Sequence, residues 1–383
     1  MIKKILLIFT FLLLISCSSE ELSYDECDLN QDGTTSNLEK KHCLPDNQLE
    51  TIPGNLEEKS EENQDDNLIE EEAEQKESLN QPIFLTTMTH MEEGHNDDQS
   101  EFEFERHINQ LTFAMDLADE YGAKITVESE KPFSKANTIW DNNFMQEIFN
   151  RGHGVGTHCD IGFKSDGLSY DDYVDQLKEN KELVDDLVGA ENNWGCSGAG
   201  SALDWVSGLQ EAGFIYVNGV VGMHLLAIPL DERPEGYSDS AIMSGGRYHD
   251  HIPTEILDRT YLRMLSDAND FEDDGNGLIV SAGSMGKLSA ISEGGYDSGA
   301  YIKEAELSSE DIDKFVELLY DIDDQRDRSK VSKVDLYFAV NQWKENEEDH
   351  LRYFFEKMQE LEEEGIIKWA TQKEVVETYL NVI

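Results

Sequence analysis

The distribution of apolar residues divides the chain into three regions. An apolar run, interrupted only by Thr10, occupies residues 5–15, and residues 51–80 contain few apolar side chains. From Gln81 to the end, short apolar runs alternate with stretches in which apolar residues recur every three or four positions. The first of these stretches has Phe104, Ile108, Leu111 and Met115 on one face, which is the spacing of an amphipathic helix. The pattern therefore predicts one large domain over 81–383.

Within this domain, predicted strands alternate with predicted helices. The strand candidates are 83–90, 124–130, 154–160, 192–198, 214–221, 277–284, 334–343 and 366–371. Repeated strand-then-helix order implies parallel strands with right-handed crossovers. Seven or eight such units favour closure, so the predicted fold is of the α/β class, a distorted (β/α)7–8 barrel. In such barrels, active sites form at the carboxyl ends of the strands.

The amino terminus has the features of an export signal. Lys3 and Lys4 precede the apolar run, which is shorter than the roughly 18–20 residues that a membrane-spanning helix needs. The run ends in Leu-Ile-Ser-Cys, which resembles a bacterial lipobox and implies that residues 1–16 are a signal peptide and that Cys17 is lipidated. The expected location is extracytoplasmic, with a lipid anchor in the membrane. Ser18, which is not aspartate, favours the outer membrane or the cell surface.

The charge of the chain excludes one class of partner. The formal net charge is −52, and no basic patch offsets it. Such a surface repels nucleic acid, so we expect no nucleic-acid partner. Residues 51–80 combine low apolar content with a run of one charge, and such a segment buries too little surface to offset its chain entropy. We therefore interpret 51–80 as a disordered acidic linker.

A short motif in residues 17–50 matches the pattern of a calcium-binding loop. Its acidic and amide side chains stand at ligand positions 1, 3, 5 and 12, and Gly33 stands at position 6, where the loop turns sharply. The expected ligands are Asp28, Asn30, Asp32 and Glu39. The segment resembles an EF-hand or dockerin-like loop, although Thr35 stands where an aliphatic residue is usual. The alternative is an acidic turn that matches the pattern by chance.

The remaining cysteines suggest disulfides outside the cytosol. Cys27 and Cys43 bracket the calcium-type loop and are expected to be linked. Cys159 and Cys196 lie near the ends of two predicted neighbouring strands. They either form a second disulfide or remain two buried free thiols, and the glycines around Cys196 leave both arrangements open.

Side chains that bind metals gather at the predicted strand ends. His90 and Glu92 follow the first strand, and His158 and Asp160 end the third. Because side chains alternate along a strand, each His-x-acid pair lies on one face. Imidazoles combined with carboxylates suit zinc or another divalent first-row ion. We therefore predict a divalent metal site, most plausibly for zinc, formed by His90, Glu92, His158 and Asp160.

The motifs in residues 83–221 resemble those of the polysaccharide deacetylase superfamily. "IFNRGHGVGTHCD" is similar to the family's "GHEIGNH" motif, whose last histidine binds metal, and "LQEAGFIYVNGVV" and "LEEEGIIKWATQKEVVETY" resemble its later elements. The family's paired aspartates correspond here to "HMEEG", where either Glu92 and Glu93 replace the pair or His90 and Glu92 form a ligand pair. We favour the second alignment. The family's next histidine corresponds to Gly162, and its fourth-strand arginine is missing.

The resemblance implies a metal-dependent hydrolase that removes N- or O-acetyl groups from a carbohydrate, with Glu92 or Glu93 as general base. Two alternatives remain: a glycoside hydrolase on a related barrel, and a non-catalytic surface lipoprotein that binds glycan or metal. Among the other histidines, His153 is expected to cap the turn before the third strand. His249 and His251, in an insertion spanning about 222–276, either complete the site or lie in a solvated loop.

Overall fold

The computed structural model describes residues 81–383 except 162–164, 166, 245, 253–254, 282 and 294–305. The predicted signal peptide, the lipidation site, the calcium-type loop, its disulfide and the acidic linker all lie outside the described residues and stay predictions. These comprise Cys17, Cys27, Asp28, Asn30, Asp32, Glu39, Cys43 and the segment 51–80.

Ten strands of the described residues form one sheet. They are β1 (Ile83–Met91), β2 (Thr126–Ser129), β3 (Gly154–Cys159), β4 (Gly195–Gly198), β5 (Tyr216–Asn218), β6 (Arg263–Leu265), β7 (Leu278–Ser281), β8 (Ser284–Lys287), β9 (Ser332–Tyr337) and β10 (Ile367–Trp369). All pairings are parallel except that of β6 with β7. Each of the eight predicted strands coincides with at least one observed strand.

Ten α-helices accompany the described strands. They are α1 (Glu101–Glu120), α2 (Lys131–Ile139), α3 (Phe144–Asn150), α4 (Tyr170–Val188), α5 (Trp205–Glu211), α6 (Asp239–Met243), α7 (Ile256–Thr260), α8 (Ser309–Gln325), α9 (Glu348–Glu363) and α10 (Gln372–Val382). Serine caps begin α1, α4 and α8 by accepting a backbone N–H at the third helical position. None of the described helices is both long and apolar enough to cross a membrane.

The sheet closes into a barrel where the strand predicted over 277–284 is divided into β7 and β8. The order of hydrogen-bonded neighbours runs β7, β5, β4, β3, β2, β1, β9, β8. β7 pairs with β5, whereas β8, which begins three residues after β7 ends, pairs with β9. The segment that contains β7 and β8 therefore contributes a strand to each end of this order, which closes the barrel. The predicted α/β barrel fold is confirmed, and the single strand predicted over 277–284 is in fact two.

The interior of the barrel is layered. At the amino-terminal end, Phe84, Tyr216 and Ile279 pack against Val375 and Val376 of α10. The middle layer is polar, and its members come from β1, β5, β9 and α10: Thr86, Asn218, Lys333, Asp335 and Gln372. The outward faces of the strands carry the main apolar core together with α1, α3, α8 and α9. The carboxyl ends of the strands are thus left for polar side chains.

The two cysteines of the barrel are free thiols. Cys159 and Cys196 are fully buried in the outer apolar layer, among Tyr173, Leu177 and Val206. Their strands are adjacent, but Cys196 stands opposite Thr157 and Cys159 stands opposite Gly198. Burial raises the pKa of the Cys196 thiol well above its ordinary value. Of the two arrangements that the sequence left open, the structure has the unlinked one.

Candidate metal centre

Two histidines meet at the carboxyl end of the barrel. His90 on β1 and His158 on β3 both point inward, and their rings stack with centroids 3.9 Å apart. Glu92, just beyond β1, faces both rings: its Oε1 lies 3.7 Å from His90 Nδ1 and its Oε2 lies 3.5 Å from His158 Nε2. His90, Glu92 and His158 each offer a ligand atom within 4.8 Å of the others. The structure thus brings together three of the four predicted ligands.

A buried carboxylate that sequence reasoning missed lies beneath the imidazoles. Glu128, opposite His90 in the pairing of β1 with β2, is 0% exposed, and its Oε2 is 3.1 Å from His90 Nε2. Gly156 on β3 leaves room for it, since a Cβ there would lie 3.1 Å from Glu128 Cγ. The available signal was the alternation of Thr126, Glu128 and Glu130, which puts three polar side chains on one strand face.

Ser197 on β4 connects the group. Its Oγ is 2.8 Å from His158 Nδ1 and 3.2 Å from His90 Nε2. The ring nitrogens that face away from Glu92 are therefore engaged by Ser197 and, for His90, by Glu128. When those nitrogens carry the hydrogens, the lone pairs of His90 Nδ1 and His158 Nε2 face the Glu92 carboxylate. Such outer partners fix the tautomer of metal-binding histidines.

The carboxylates of Glu92 and Glu128 favour a positive charge at the imidazole pair. Burial opposes protonation of His90, but Glu128 and Glu92 outweigh it and raise the pKa of His90 to about 10. Burial likewise opposes ionisation of Glu92, yet His158 and His90 hold the pKa of Glu92 well below its usual range. The pKa of Glu128 is also lowered, mainly because His90 outweighs the effect of burial. Among the described residues, no hydrogen bond of good geometry reaches either Glu128 oxygen. The Glu92 carboxylate and the two imidazoles are a donor set that fits a divalent ion.

The other two predicted site residues lie at the rim. Asp160 does not join the ligand group, because Tyr248 of the insertion donates its hydroxyl to Asp160 Oδ1 at 2.7 Å. Glu93 is exposed, and its backbone N–H donates to the Glu130 carboxylate. A ligand role for Asp160 and a catalytic role for Glu93 stay predictions. Tyr337 on β9 completes the rim, with its ring centroid 4.9 Å from that of His90.

Of His249 and His251, the two histidines that the sequence singled out in the insertion, His249 lies near the site. The ring of His249 packs edge-on against Tyr248 at 4.7 Å. Burial lowers the pKa of His249, and the charges of Asp160 and Glu92 act on it in the opposite direction. Gly222 permits this docking, since a Cβ there would lie 1.9 Å from the Arg247 carbonyl oxygen.

His251 and His153 play other roles. His251 is buried away from the imidazole pair, and neither of its ring nitrogens has a hydrogen-bond partner among the described residues. His153 accepts the backbone N–H of Ile125 at its Nδ1, 3.3 Å away, and its Nε2 lies 3.3 Å from Asp119 Oδ1. His153 therefore fastens the turn before β3 to the neighbouring strand.

Burial of His251 predicts a specific loss of stability in acid. Its pKa is lowered to about 3 by burial first and by the charge of Arg259 second. The unfolded chain binds a proton at this side chain below about pH 6.5, whereas the folded chain does not until about pH 3, so stability falls as the pH drops through this window. The expected loss from this group between pH 8 and pH 5 is about 2 kcal/mol. Urea unfolding of His251→Leu should show a shallower loss over that range, and an unchanged pH slope would contradict the assignment.

Comparisons with known proteins give a likeness of fold. No protein-family model and no curated protein matches the sequence. Among solved structures, a candidate polysaccharide deacetylase from Mycobacterium smegmatis matches with a TM-score of 0.47 and 11% identity, over 79% of this chain and 91% of that one. A 4-alpha-glucanotransferase from Thermococcus litoralis matches with a TM-score of 0.47 and 16% identity, over 78% of this chain and 40% of that one. PuuE allantoinase matches with a TM-score of 0.46 and 9% identity, over 77% and 89%. The chemistry proposed below rests on the side chains of this chain.

Proposed function

We propose that the protein is a metal-dependent hydrolase that removes N- or O-acetyl groups from a carbohydrate. The observation that supports this most is the arrangement of Glu92, whose two carboxylate oxygens each face a ring nitrogen of a different histidine. Two imidazoles and one glutamate are a ligand set of catalytic zinc sites, which keep one position open for water or substrate. His90, Glu92 and His158 would hold the ion.

A divalent ion in such a site polarises an acyl oxygen and lowers the pKa of water. The residues of this chain orient the ligands for such an ion. Ser197 Oγ lies within hydrogen-bond distance of the outer nitrogen of each ring, and Glu128 makes an ion-pair contact with His90 Nε2, which orients both imidazoles with their lone pairs toward Glu92. Glu128 and Ser197 are buried on the outer side of the rings, and Glu92 is the most exposed of the three ligands, with its side chain 38% exposed against 15% for His90 and 6% for His158.

Asp160 is the carboxylate that we assign as general base. It lies two residues after His158 at the rim, and the Tyr248 hydroxyl fixes its orientation. Both carboxylate oxygens of Glu92 face imidazole nitrogens, so Glu92 is poorly suited to accept a proton from water. A base must come within hydrogen-bond reach of the water that it activates. Tyr248 thereby makes the insertion part of the catalytic arrangement.

Replacing Asp160 with asparagine is expected to reduce kcat by about 10²- to 10⁴-fold, because general-base catalysis contributes that much. Bound metal should remain, since Asp160 is outside the ligand group. Glu93→Gln is the matched comparison, because the sequence predicted Glu92 or Glu93 as the base and Glu93 lies outside the ligand group. Kinetics with a chromogenic acetyl ester and metal analysis check both. A larger loss of kcat in Glu93→Gln would transfer the role to Glu93.

A carbohydrate substrate is supported by the sequence motifs and by the rim. The net charge of −52 disfavours polyanionic substrates. Tyr337, which is half-buried, presents its aromatic ring beside His90 of the imidazole pair. Such rings combine an apolar face with a polar tip, which suits neutral polyols with alternating C–H and O–H groups.

Glycoside cleavage is the less favoured alternative. It requires a carboxyl group with a raised pKa as general acid, together with a second carboxylate. The pKa values of Glu92 and Glu128 are both lowered by the histidines. Asp335 has a raised pKa, but it is fully buried in the middle layer of the barrel. This electrostatic pattern favours acyl hydrolysis.

The proposed function can be tested with acetylated glycans. The purified protein, loaded with zinc or cobalt, is incubated with chitooligosaccharides, acetylated xylan and peptidoglycan, and both acetate and new reducing ends are measured. We expect acetate from at least one substrate, loss of this activity with a chelator, and no new reducing ends. Reducing ends without acetate would favour a glycoside hydrolase. Metal binding without either product would favour a non-catalytic binding protein.

A further inference from the structure

A second group of ionisable side chains lies beside the candidate metal centre. His95 ends the 3-10 turn that follows Glu92, and Asp97 and His107 are both fully buried behind it. His107 Nδ1 is 2.6 Å from Asp97 Oδ1, and the rings of His95 and His107 lie 4.6 Å apart. Arg106 Nη2 is 3.0 Å from His107 Nε2. The three residues have the composition of a second metal site.

Their hydrogen bonds indicate a different role. The Glu92 backbone N–H donates to His95 Nδ1 at 3.2 Å, so the hydrogen of the neutral His95 ring is on Nε2. His107 donates from Nδ1 to Asp97 and accepts from the Arg106 guanidinium at Nε2. Neither ring offers a lone pair to a cation without giving up a bond. Arg106 also puts a positive charge where a second ion would bind.

What this group contacts is the backbone of Glu92. The bonds between Glu92 and His95 are reciprocal, because the His95 backbone N–H also donates to the Glu92 carbonyl oxygen at 3.1 Å. The His95 ring packs on His107, which Asp97 holds in place. Trp140 in turn donates its Nε1–H to the Asp97 carbonyl oxygen at 2.9 Å. The turn that carries Glu92 is therefore fastened to α1 and to the end of α2.

We propose that His95 is a positioning residue that holds the Glu92 carboxylate between His90 and His158. This inference rests on the proposed function, since it assumes that Glu92 is a metal ligand. Glu92 lies beyond the last residue of β1, so the sheet does not fix its backbone. The His95 side chain supplies that constraint through the Glu92 amide. Partners that orient ligands in this way are worth about 10- to 100-fold in metal affinity.

The test compares two substitutions at position 95 in the full chain. His95→Leu removes the acceptor and should weaken binding of Zn²⁺ by about 10- to 100-fold. His95→Gln keeps an acceptor that reaches back to the Glu92 amide, as glutamine does in a capping box, so it should restore most of the affinity. The visible spectrum of the Co²⁺ form should change in His95→Leu and resemble wild type in His95→Gln. Thermal unfolding of the apo proteins identifies any general loss of folding.

A double-mutant cycle isolates the path through Glu92. In a Glu92→Gln background, His95→Leu should cause no further loss of Zn²⁺ affinity, because the carboxylate that it positions is gone. Equal affinities of wild type and His95→Leu, or an additive loss in the cycle, would overturn the positioning role while leaving the proposed function intact. Two ions per wild-type chain, with one lost in His107→Asn, would instead identify a second metal site. Absence of any bound ion in wild type would overturn the proposed function and this inference together.

Discussion

Replacing His158 with alanine is expected to abolish high-affinity binding of a divalent ion and to lower acetate release by more than about 100-fold. His158 provides one of the two imidazoles that face Glu92, and its other nitrogen is held by Ser197. Without this ring, two ligands remain on β1 and its following turn, which are too few for a tetrahedral site. Metal analysis of the purified variant and isothermal titration with Zn²⁺ measure the loss.

His153 offers a matched control on the same stretch of chain. It is buried like His158, but it bonds to the Ile125 amide and pairs with Asp119. His153→Ala should therefore lower stability while keeping the ion. A His158→Ala protein that binds the ion as wild type does would refute the candidate centre, and equal losses in both variants would point to a general effect on folding.

Replacing Lys333 with methionine is expected to destabilise the fold by about 3–5 kcal/mol, because it leaves an uncompensated buried charge. Lys333 is 0% exposed and donates to Asn218 and Gln372. Asp335, also 0% exposed, accepts from Thr86 at 2.5 Å and from Gln372 at 2.7 Å. Burial opposes the charge on both groups: it lowers the pKa of Lys333 and raises that of Asp335. Urea unfolding with a linear extrapolation measures the change.

Two further variants make this prediction specific. Lys333→Met combined with Asp335→Asn should recover part of the lost stability, because no buried charge then remains unpaired in the middle layer. Lys314→Met, which removes a lysine 53% exposed in an ion pair with Glu317, should change stability by less than about 1 kcal/mol. A Lys333→Met protein as stable as Lys314→Met would show that the middle layer tolerates an unpaired carboxylate.

The positions of the predicted strands, the barrel class and part of the candidate centre could be predicted from the sequence. Alternation along a strand put His90 with Glu92, and His158 with Asp160, at strand ends where a barrel gathers its site. The side chains at three of those positions do meet. Local pattern sufficed for His90 and His158 because both lie on strands, where the direction of a side chain follows from its own strand.

The features that were not predicted from the sequence depend mostly on contacts between distant segments. Glu128 stands in the predicted strand "KITVESE", and its burial follows from the space that Gly156 leaves on the neighbouring strand. Asp160 faces Tyr248, which is 88 positions away on an insertion with no periodic pattern. Helix α2 was also not predicted; its second residue is Pro132, which is well accepted in the first turn of a helix.

The pairing of β1 has a consequence for how the chain folds. This first strand lies between β2 on one side and β9 on the other, and β10 pairs with its first three residues. A typical contact, Thr86 with Asp335, joins residues 249 positions apart. Such high contact order makes folding slow, since a long loop must close before the contact stabilises anything. A nascent chain that stops before β9 leaves one long edge of β1 unpaired, so the barrel forms only after nearly the whole sequence has been synthesised.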